Sequence, residues 1–327
     1  MGDFTAPSAR LVAAARGLLA LDQPDTNTVG MLRDAGVPLA VGTAQSFRDI
    51  VLATPGLDRA VNGVLLDPAT LHRVTGSGST PALHRVCVPV GVRMGDENLR
   101  SFDVAGSVDG IVDDIARHRA AGASFARWRI VAMADTAVTE LRARARLVAG
   151  WAAACVTGDL TPFVDVVAIP GARDGLHEAA TVHGGAVRTV LDALRTEGVH
   201  LDDVVLGSSI VTPGRRASDV ATAEDVARAT LRGLHAAGAE DLAGVVFTPG
   251  GRPDRLTAHL AAVQWLGPRT PVGYCLGRSM LGSVARAWGG KPEQVLDAHT
   301  ELITRFTSVG AVVRAGMGEE PRRRVAG

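Results

Sequence analysis

Residues 161–211 read TPFVDVVAIPGARDGLHEAATVHGGAVRTVLDALRTEGVHLDDVVLGSSIV. The stretch opens on an apolar run rich in β-branched residues, Thr161–Val167, and closes on a second one, Val204–Val211. Between them, Leu176–Thr196 carries apolar residues every three or four positions with charged residues opposite, which is the period of an amphipathic helix. A strand, a helix and a second strand in this order predict a parallel βαβ unit.

The same alternation runs through the rest of the chain. Further apolar runs predict strands at Gly17–Asp22, Gly63–Asp67, Val86–Val92, Phe125–Val131, Gly244–Phe247 and Pro271–Cys275. Further segments of helical period lie at Val108–Ala121, Ala137–Val156, Ala221–Ala237, Asp254–Leu266, Ser279–Trp288 and Pro292–Ser308. Eight βα units predict an α/β protein with one closed (β/α)8 TIM barrel, whose active site lies at the carboxyl ends of the strands. The competing open sheet usually carries GxGxxG after an early strand, and none follows the first predicted strand here.

Three segments depart from the regular spacing. The long stretch Thr26–Asn62, with turn-rich Ala53–Leu57 inside it, predicts two helices rather than a separate domain. The run TGSGSTP at Thr75–Pro81 predicts a flexible loop, and Gly316–Gly327, rich in Arg and Glu, predicts a loose tail. Because no segment has the composition of a linker, we expect residues 1–327 to form a single domain.

Composition narrows the class of protein. A hydrophobic fraction of 46% is enough for a large core, and a net charge of zero gives no field that favours nucleic acid or a membrane surface. The three cysteines, Cys87, Cys155 and Cys275, are widely spaced, which suits a reducing cytoplasm. No apolar run reaches the roughly 18 residues of a membrane span, and the first residues lack the pattern of a signal peptide. We therefore expect a cytoplasmic protein with neither a membrane nor a nucleic-acid partner.

The basic residues are almost all arginine. Lys291 is the only lysine among the 34 basic residues. A GC-rich genome accounts for such a bias without any functional reason. The chemical consequence is independent of the cause, because a mechanism that needs a lysine amine has one candidate in the chain.

Polar residues and glycines stand at the predicted carboxyl ends of the strands. They are Asp22, Asp67, Arg93, Arg127, Arg129, Asp165, Ser208, Ser209, Pro249, Gly250, Gly251, Gly277 and Arg278. Carboxylates at such positions can transfer protons, and converging arginines bind phosphate or carboxylate. Glycine turns after the last two strands expose N–H groups where barrels commonly bind phosphate.

Each of these residues also has a structural interpretation. Asp22 or Asp165 alone could cap a helix or pair with an arginine, and Arg129 could pair with a carboxylate. Asp67 precedes Pro68, which favours a helix cap over catalysis at that position. Clustered at one barrel mouth, the set favours an anion-binding site.

Four blocks of sequence resemble the class I fructose-bisphosphate aldolases. They are RGLLALDQPDTNTVGMLRDAGV (16–37), VLATPGLDRAVNGVLLDPATLH (51–72), GASFARWRIV (122–131) and YCLGRSMLGSVARAWGGKPEQV (274–295). Their order and spacing agree with the family from about Arg16 to Val295. The resemblance implies a (β/α)8 barrel, usually tetrameric, that cleaves fructose 1,6-bisphosphate through a lysine Schiff base and needs no metal.

Some residues match the family's functional positions. Asp22 falls on its catalytic aspartate and Arg129 on a substrate-binding arginine. Gly250, Gly277 and Arg278 fall on part of its phosphate site.

Other positions differ. Arg93 and Arg127 stand where the family has lysines on the third and fourth strands. Asp165 stands where it has the glutamate that manages proton transfer, and is one methylene shorter. Val167 replaces a second glutamate, and Pro249 replaces a phosphate-binding serine. The family's C-terminal tyrosine is missing, since Tyr274 is the only tyrosine.

The largest departure is on the sixth predicted strand. The family has Leu-Lys-Pro-Asn-Met-Val-Thr-Pro-Gly where this chain has LGSSIVTPG, residues 206–214. Gly207 therefore occupies the place of the Schiff-base lysine. Lys291 lies beyond the eighth predicted strand, and we expect it on the surface, where it cannot substitute.

The sequence thus predicts a carbon–carbon lyase or condensing enzyme of aldolase type, in specialised metabolism, that forms no Schiff base through its own lysine. Asp22, Asp165 and Arg127 are the predicted catalytic residues. A small anionic substrate is predicted to bind at Arg93, Arg129, Ser209, Gly250, Gly251, Gly277 and Arg278. We expect no cofactor, no metal and a homo-oligomer.

Two alternatives stay open at this point. One is a non-catalytic relative kept for binding or regulation. The other is a metal-assisted aldolase, in which a cation replaces the imine as electrophile. The nine histidines are scattered, and the nearest pair, His177 and His183, is six residues apart, which is not a ligand spacing on one helix face.

Overall fold

The eight strands form a closed parallel barrel. The computed structural model describes residues 7–12, 16–75, 88–95, 108–218, 220–248 and 253–318. The strands are β1 Gly17–Leu21, β2 Val61–Leu66, β3 Val90–Gly95, β4 Phe125–Met133, β5 Thr161–Ile169, β6 Val205–Ser209, β7 Gly244–Thr248 and β8 Val272–Leu276. They pair in chain order, and β8 pairs with β1 to close the ring. The predicted (β/α)8 barrel is confirmed.

Helices surround this barrel. They are α1 Pro7–Leu11, α2 Asp25–Asp34, α3 Thr43–Leu52, α4 Leu57–Ala60, α5 Pro68–Thr75, α6 Val108–Ala120, α7 Val138–Thr157, α8 Leu176–Thr196, α9 Ala223–Ala236, α10 Pro253–Trp265, α11 Arg278–Trp288 and α12 Val295–Gly318. Within the described residues, no helix has the length and apolar character that a membrane span requires.

Several details differ from the predictions. The segment between β1 and β2 holds three helices, α2, α3 and α4, rather than two. Strand β3 begins only at Val90, since Pro89 has no N–H to give to the sheet and residues 86 and 87 lie outside the described part. Helix α12 continues to Gly318, into the predicted tail. Residues 319–327 of that tail lie outside the described part of the chain. Of the predicted loop Thr75–Pro81, the structure describes only Thr75, which is the last residue of α5.

Side chains that point into the barrel form its inner core. They are Leu18 and Ala20 of β1, Leu65, Phe125, Phe163, Val205, Val246 and Cys275. Because side chains alternate along a strand, this layer fixes which later residues also point inward. Every second residue beyond the apolar layer also points inward. Those residues, nearer the carboxyl ends of the strands, are Asp22, Arg127, Arg129, Asp165 and Gly207.

The single lysine lies on the far side of the barrel. Helix α11 starts at the carboxyl end of β8 and runs back along the outside of the barrel, so it ends at the amino-terminal face. Lys291 follows that end, with its N–H donating to the carbonyl of Trp288 at 3.0 Å, and its side chain is exposed. The prediction that Lys291 is a surface residue is confirmed.

Candidate active site

Two carboxylates and two guanidinium groups meet at the carboxyl end of the barrel. Asp22 directly follows β1, Arg127 and Arg129 lie on β4, and Asp165 lies on β5. The Nη2 of Arg127 is 2.5 Å from Asp22 Oδ2, and its Nη1 is 3.7 Å from Asp165 Oδ2. The Nε of Arg129 donates to the same Asp165 oxygen at 2.8 Å. The structure therefore brings these four predicted residues into one network.

Burial divides the network into an inner and an outer part. Asp22 and Asp165 are both 0% exposed, and Arg127 is 2% exposed. A buried carboxylate loses its hydration, so it remains charged in the interior only beside a counter-charge. Arg127 provides that charge to both acids, while the Arg129 side chain, 22% exposed, reaches toward solvent.

Arg93 adds a third guanidinium to the site. It is half-buried at the end of β3, and its Nε donates to the backbone carbonyl of Asp22 at 2.9 Å. Arg93 and Arg129 thus lie beside the two buried acids. Guanidinium groups at a site with restricted access to water favour an anionic group on a bound molecule.

Carboxylate oxygens of both acids lack a hydrogen bond within the described part of the chain. Asp22 Oδ1 and Asp165 Oδ1 accept none from the residues that the structure describes. Asp22 Oδ2 is an ion-pair partner of Arg127, although the angle between them does not meet hydrogen-bond geometry. Both acids therefore have a buried acceptor that could take a proton.

Cys275 lies in the inner core below this network. Burial raises the pKa of its thiol to about 12, and nearby Arg127 offsets only part of the effect. The thiol is therefore protonated at neutral pH, and Cys275 is not a nucleophile.

The two serines of β6 have different environments. Ser209 Oγ is buried and accepts from the N–H of Ala168 at 3.0 Å, so it joins the ends of β5 and β6, and its predicted contact with a substrate stays a prediction. Ser208, which the sequence placed at the barrel mouth, points outward instead. Its Oγ is 2.8 Å from Nε2 of His183 on α8, in a fully buried contact behind the barrel wall.

Burial of His183 makes stability depend on pH. Desolvation lowers its pKa from 6.5 to about 4. Between those values the unfolded chain binds a proton that the folded chain does not, so stability falls as pH falls, by about 3 kcal/mol in total. We expect His183→Gln to reduce the loss of stability between pH 7 and pH 4.5 in urea titrations. The exposed variant His200→Gln should leave it unchanged, and equal curves for wild type and His183→Gln would contradict this.

Gly277 and Arg278 stand where β8 turns into α11. Gly277 is buried, and a Cβ there would lie 3.1 Å from the carbonyl oxygen of Ala20, so glycine lets β8 approach β1 closely. Arg278 is exposed as the first residue of α11, and it lines a narrow crevice with Arg48 and Gln23. Gly250 and Gly251, the other predicted anion-binding positions, lie outside the described residues.

We expect Arg278→Ala to weaken binding of a small phosphorylated ketone by roughly one to two orders of magnitude. A charge-assisted contact contributes about 1.5–3 kcal/mol, which corresponds to that change in affinity. Isothermal titration with dihydroxyacetone phosphate tests it, with Arg269→Ala as an exposed control on the loop before β8. Equal affinities, with circular dichroism unchanged, would reduce Arg278 to a structural residue.

Arg48 is a buried arginine that the sequence analysis missed. It is 4% exposed, and it joins α3 to the segment after β1 through Asp25 Oδ1 at 2.6 Å and the carbonyl of Gln23 at 2.8 Å. The sequence feature that could have predicted its burial is its place next to Phe47, on the apolar face of α3. Arg48 fixes the chain that leaves Asp22.

Asp67 has the structural role that its sequence context favoured. Its Oδ1 accepts from the N–H of Thr70 at 3.0 Å and its Oδ2 from the hydroxyl at 2.5 Å. This pattern caps the first turn of α5. In the part of the chain that the structure describes, no group of three or more His, Cys, Asp or Glu side chains is placed to hold a metal ion.

Comparison with known families agrees with the barrel fold. The family model described as fructose-bisphosphate aldolase class-I matches residues 3–320. This chain belongs to the class I fructose-bisphosphate aldolase family. The resemblance predicted from the four sequence blocks is thereby confirmed, and the family supports a carbon–carbon lyase of aldolase fold.

Relatives cover most of the chain at low identity. Fructose-bisphosphate aldolase 2 of Caenorhabditis elegans is 27% identical over 92% of this chain and 86% of its own length. Fructose-bisphosphate aldolase 7, cytosolic, of Arabidopsis thaliana is 29% identical over 89% of this chain and 84% of its own. A crystal structure of the Plasmodium falciparum aldolase, in complex with TRAP and a small-molecule inhibitor, superposes with a TM-score of 0.85 at 26% identity, covering 94% of this chain and 92% of that one.

Proposed function

We propose that this family member is a lyase or condensing enzyme for a small anionic carbonyl or imine substrate, and that it forms no Schiff base through its own lysine. The observation that carries the proposal is the pair of buried acids at the barrel mouth, bridged by Arg127, next to a glycine at the lysine position. Lys291, on the opposite face, is too far to take part.

The arginines supply what a protein imine would otherwise provide. In an imine-based reaction, the protonated nitrogen accepts the electrons released when the bond next to the carbonyl breaks. Here the guanidinium groups of Arg93 and Arg129 face the side of the network that solvent reaches, and they would stabilise the negative charge of an enolate. A substrate that carries its own imine would need less of this stabilisation.

Asp165 is the proposed proton-transfer residue and Asp22 its electrostatic partner. Arg129 and Arg127 hold Asp165 Oδ2, which leaves Oδ1 to accept a proton from the carbon next to the carbonyl. Asp22 is paired with Arg127 at 2.5 Å, so it orients that guanidinium and balances its charge. The two acids thus have different proposed roles because their contacts differ.

Exchange of carbon-bound protons tests the proposal without knowledge of the full reaction. A panel of small phosphorylated or carboxylated ketones, with and without aldehyde partners, is incubated with the enzyme in D₂O and followed by proton NMR. We expect at least one ketone to exchange its α-protons, with or without bond formation, and the activity to survive EDTA.

The other outcomes separate the alternatives. Ligand binding by titration without exchange, cleavage or condensation would support a non-catalytic protein. Loss of exchange on chelation, with recovery on Zn²⁺ or Mg²⁺, would support the metal-assisted mechanism.

A further inference from the structure

Gly207 lies directly against the Asp165 carboxyl group. The two residues are register partners in the β5–β6 ladder. A Cβ added to Gly207 would lie 2.7 Å from Asp165 Oδ1, 2.7 Å from the Cε2 of Phe163 and 2.9 Å from the Asp165 Cα. Distances below 3.0 Å are essentially never found around real Cβ atoms, so a side chain here requires both side chains and the β5 backbone to move.

The Asp165 carboxylate is consequently held from two sides. Its Oδ2 accepts from Arg129 and faces Arg127, while its Oδ1 faces the bare Cα of Gly207. The acid itself is completely buried. This carboxylate fills the space next to strand β6. A side chain at position 207 would need the same space.

We propose that Gly207 is a positioning residue for Asp165, and that a side chain at position 207 and the present Asp165–arginine arrangement exclude each other. The catalytic role of this positioning rests on the proposed function, in which Asp165 transfers the proton. The steric exclusion between the two residues is independent of the proposed function. It follows that a lysine introduced at position 207 alone would displace the acid instead of adding an amine to an otherwise intact site.

Gly273 shows that a buried strand glycine in this barrel need not have such a role. It lies on β8, and a Cβ added there would make ordinary contacts, with the Cα of Val12 nearest at 3.5 Å. Gly273→Ala is therefore a matched control for Gly207→Ala, with the same chemical change and the same type of backbone.

A double-mutant cycle in the protein without ligand tests the steric part. We expect Gly207→Ala to lower the melting temperature by on the order of 5 °C, since overpacking a core is destabilising. The same change in an Asp165→Gly background should cost less, because the contact with the carboxylate is gone and only those with Phe163 and the β5 backbone remain. Gly273→Ala should cost about the same in both backgrounds. Equal costs of Gly207→Ala in the two backgrounds would overturn the proposal.

The ¹³C carboxyl resonance of Asp165 separates positioning from simple packing. It is assigned by its loss in Asp165→Asn and compared at one pH in wild type, Gly207→Ala and Gly273→Ala. We expect its chemical shift to change in Gly207→Ala alone, because the carboxylate leaves its arginine partners. A lowered melting temperature with an unchanged chemical shift would make Gly207 a packing residue only. Neither readout uses a substrate, so both are independent of whether the proposed reaction occurs.

Discussion

Asp165→Asn is expected to lower turnover by a factor of roughly 10² to 10⁴, the contribution of a positioned acid or base. Asparagine has nearly the same shape and can still accept from Arg129, but it cannot take a proton from the substrate. Affinity for the substrate should change far less, because the lost interaction belongs to the transition state. The measurement is kcat, together with Kd by titration, on a ketone that shows exchange in D₂O.

Asp22→Asn should also lower turnover, since it alters the charge around Arg127. Asp67→Asn is the matched control, because Asp67 likewise follows a strand and caps α5, a role that asparagine can fill. Its ion pair with Arg48 Nε is long, at 3.8 Å. A change in turnover of less than a factor of about three is small on the scale of acid–base catalysis. We consider this outcome for both Asp165→Asn and Asp22→Asn. That result would remove both aspartates from the mechanism.

Arg127→Leu is expected to destabilise the fold by about 3–5 kcal/mol, the usual result of leaving buried charge without its partner. Asp22 loses the guanidinium that lies 2.5 Å from its Oδ2, and Asp165 keeps its ion pair with Arg129. Urea denaturation of the two proteins measures the difference.

Two further variants complete this test. Arg129→Leu should be less destabilising, since its side chain is partly exposed and Asp165 retains Arg127. Combining Arg127→Leu with Asp22→Asn should recover part of the lost stability. A loss below about 1 kcal/mol in Arg127→Leu is in the range of surface ion pairs, and it would show that Arg127 is not the counter-charge of the two acids.

Much of the site could be predicted because it follows from local rules. The alternation of apolar runs and helical segments predicts the barrel, and the barrel places strand ends at one mouth. That rule predicts Asp22, Arg127, Arg129 and Asp165 as site residues, and the structure brings them within ion-pair distance. The substitution at Gly207 became visible only through the resemblance to the aldolases, since a glycine in a strand has no functional signal of its own.

Other features depend on contacts between distant parts of the chain. The direction of Ser208 depends on which face of β6 meets His183, 25 residues earlier in sequence. Arg48 is buried because Asp25 and the carbonyl of Gln23 converge on it, which the pattern of α3 alone does not show. The steric limit at Gly207 arises from the register of β5 against β6, and no single-strand pattern contains that register.

Borohydride trapping tests the central claim most directly. The enzyme is reduced with sodium borohydride in the presence of dihydroxyacetone phosphate or fructose 1,6-bisphosphate, and its intact mass is measured, with the Plasmodium falciparum aldolase as a parallel comparison. We predict an unchanged mass for this protein, because Gly207 has no amine and Lys291 lies on the opposite face of the barrel. A stoichiometric adduct that maps to Lys291 would contradict the account.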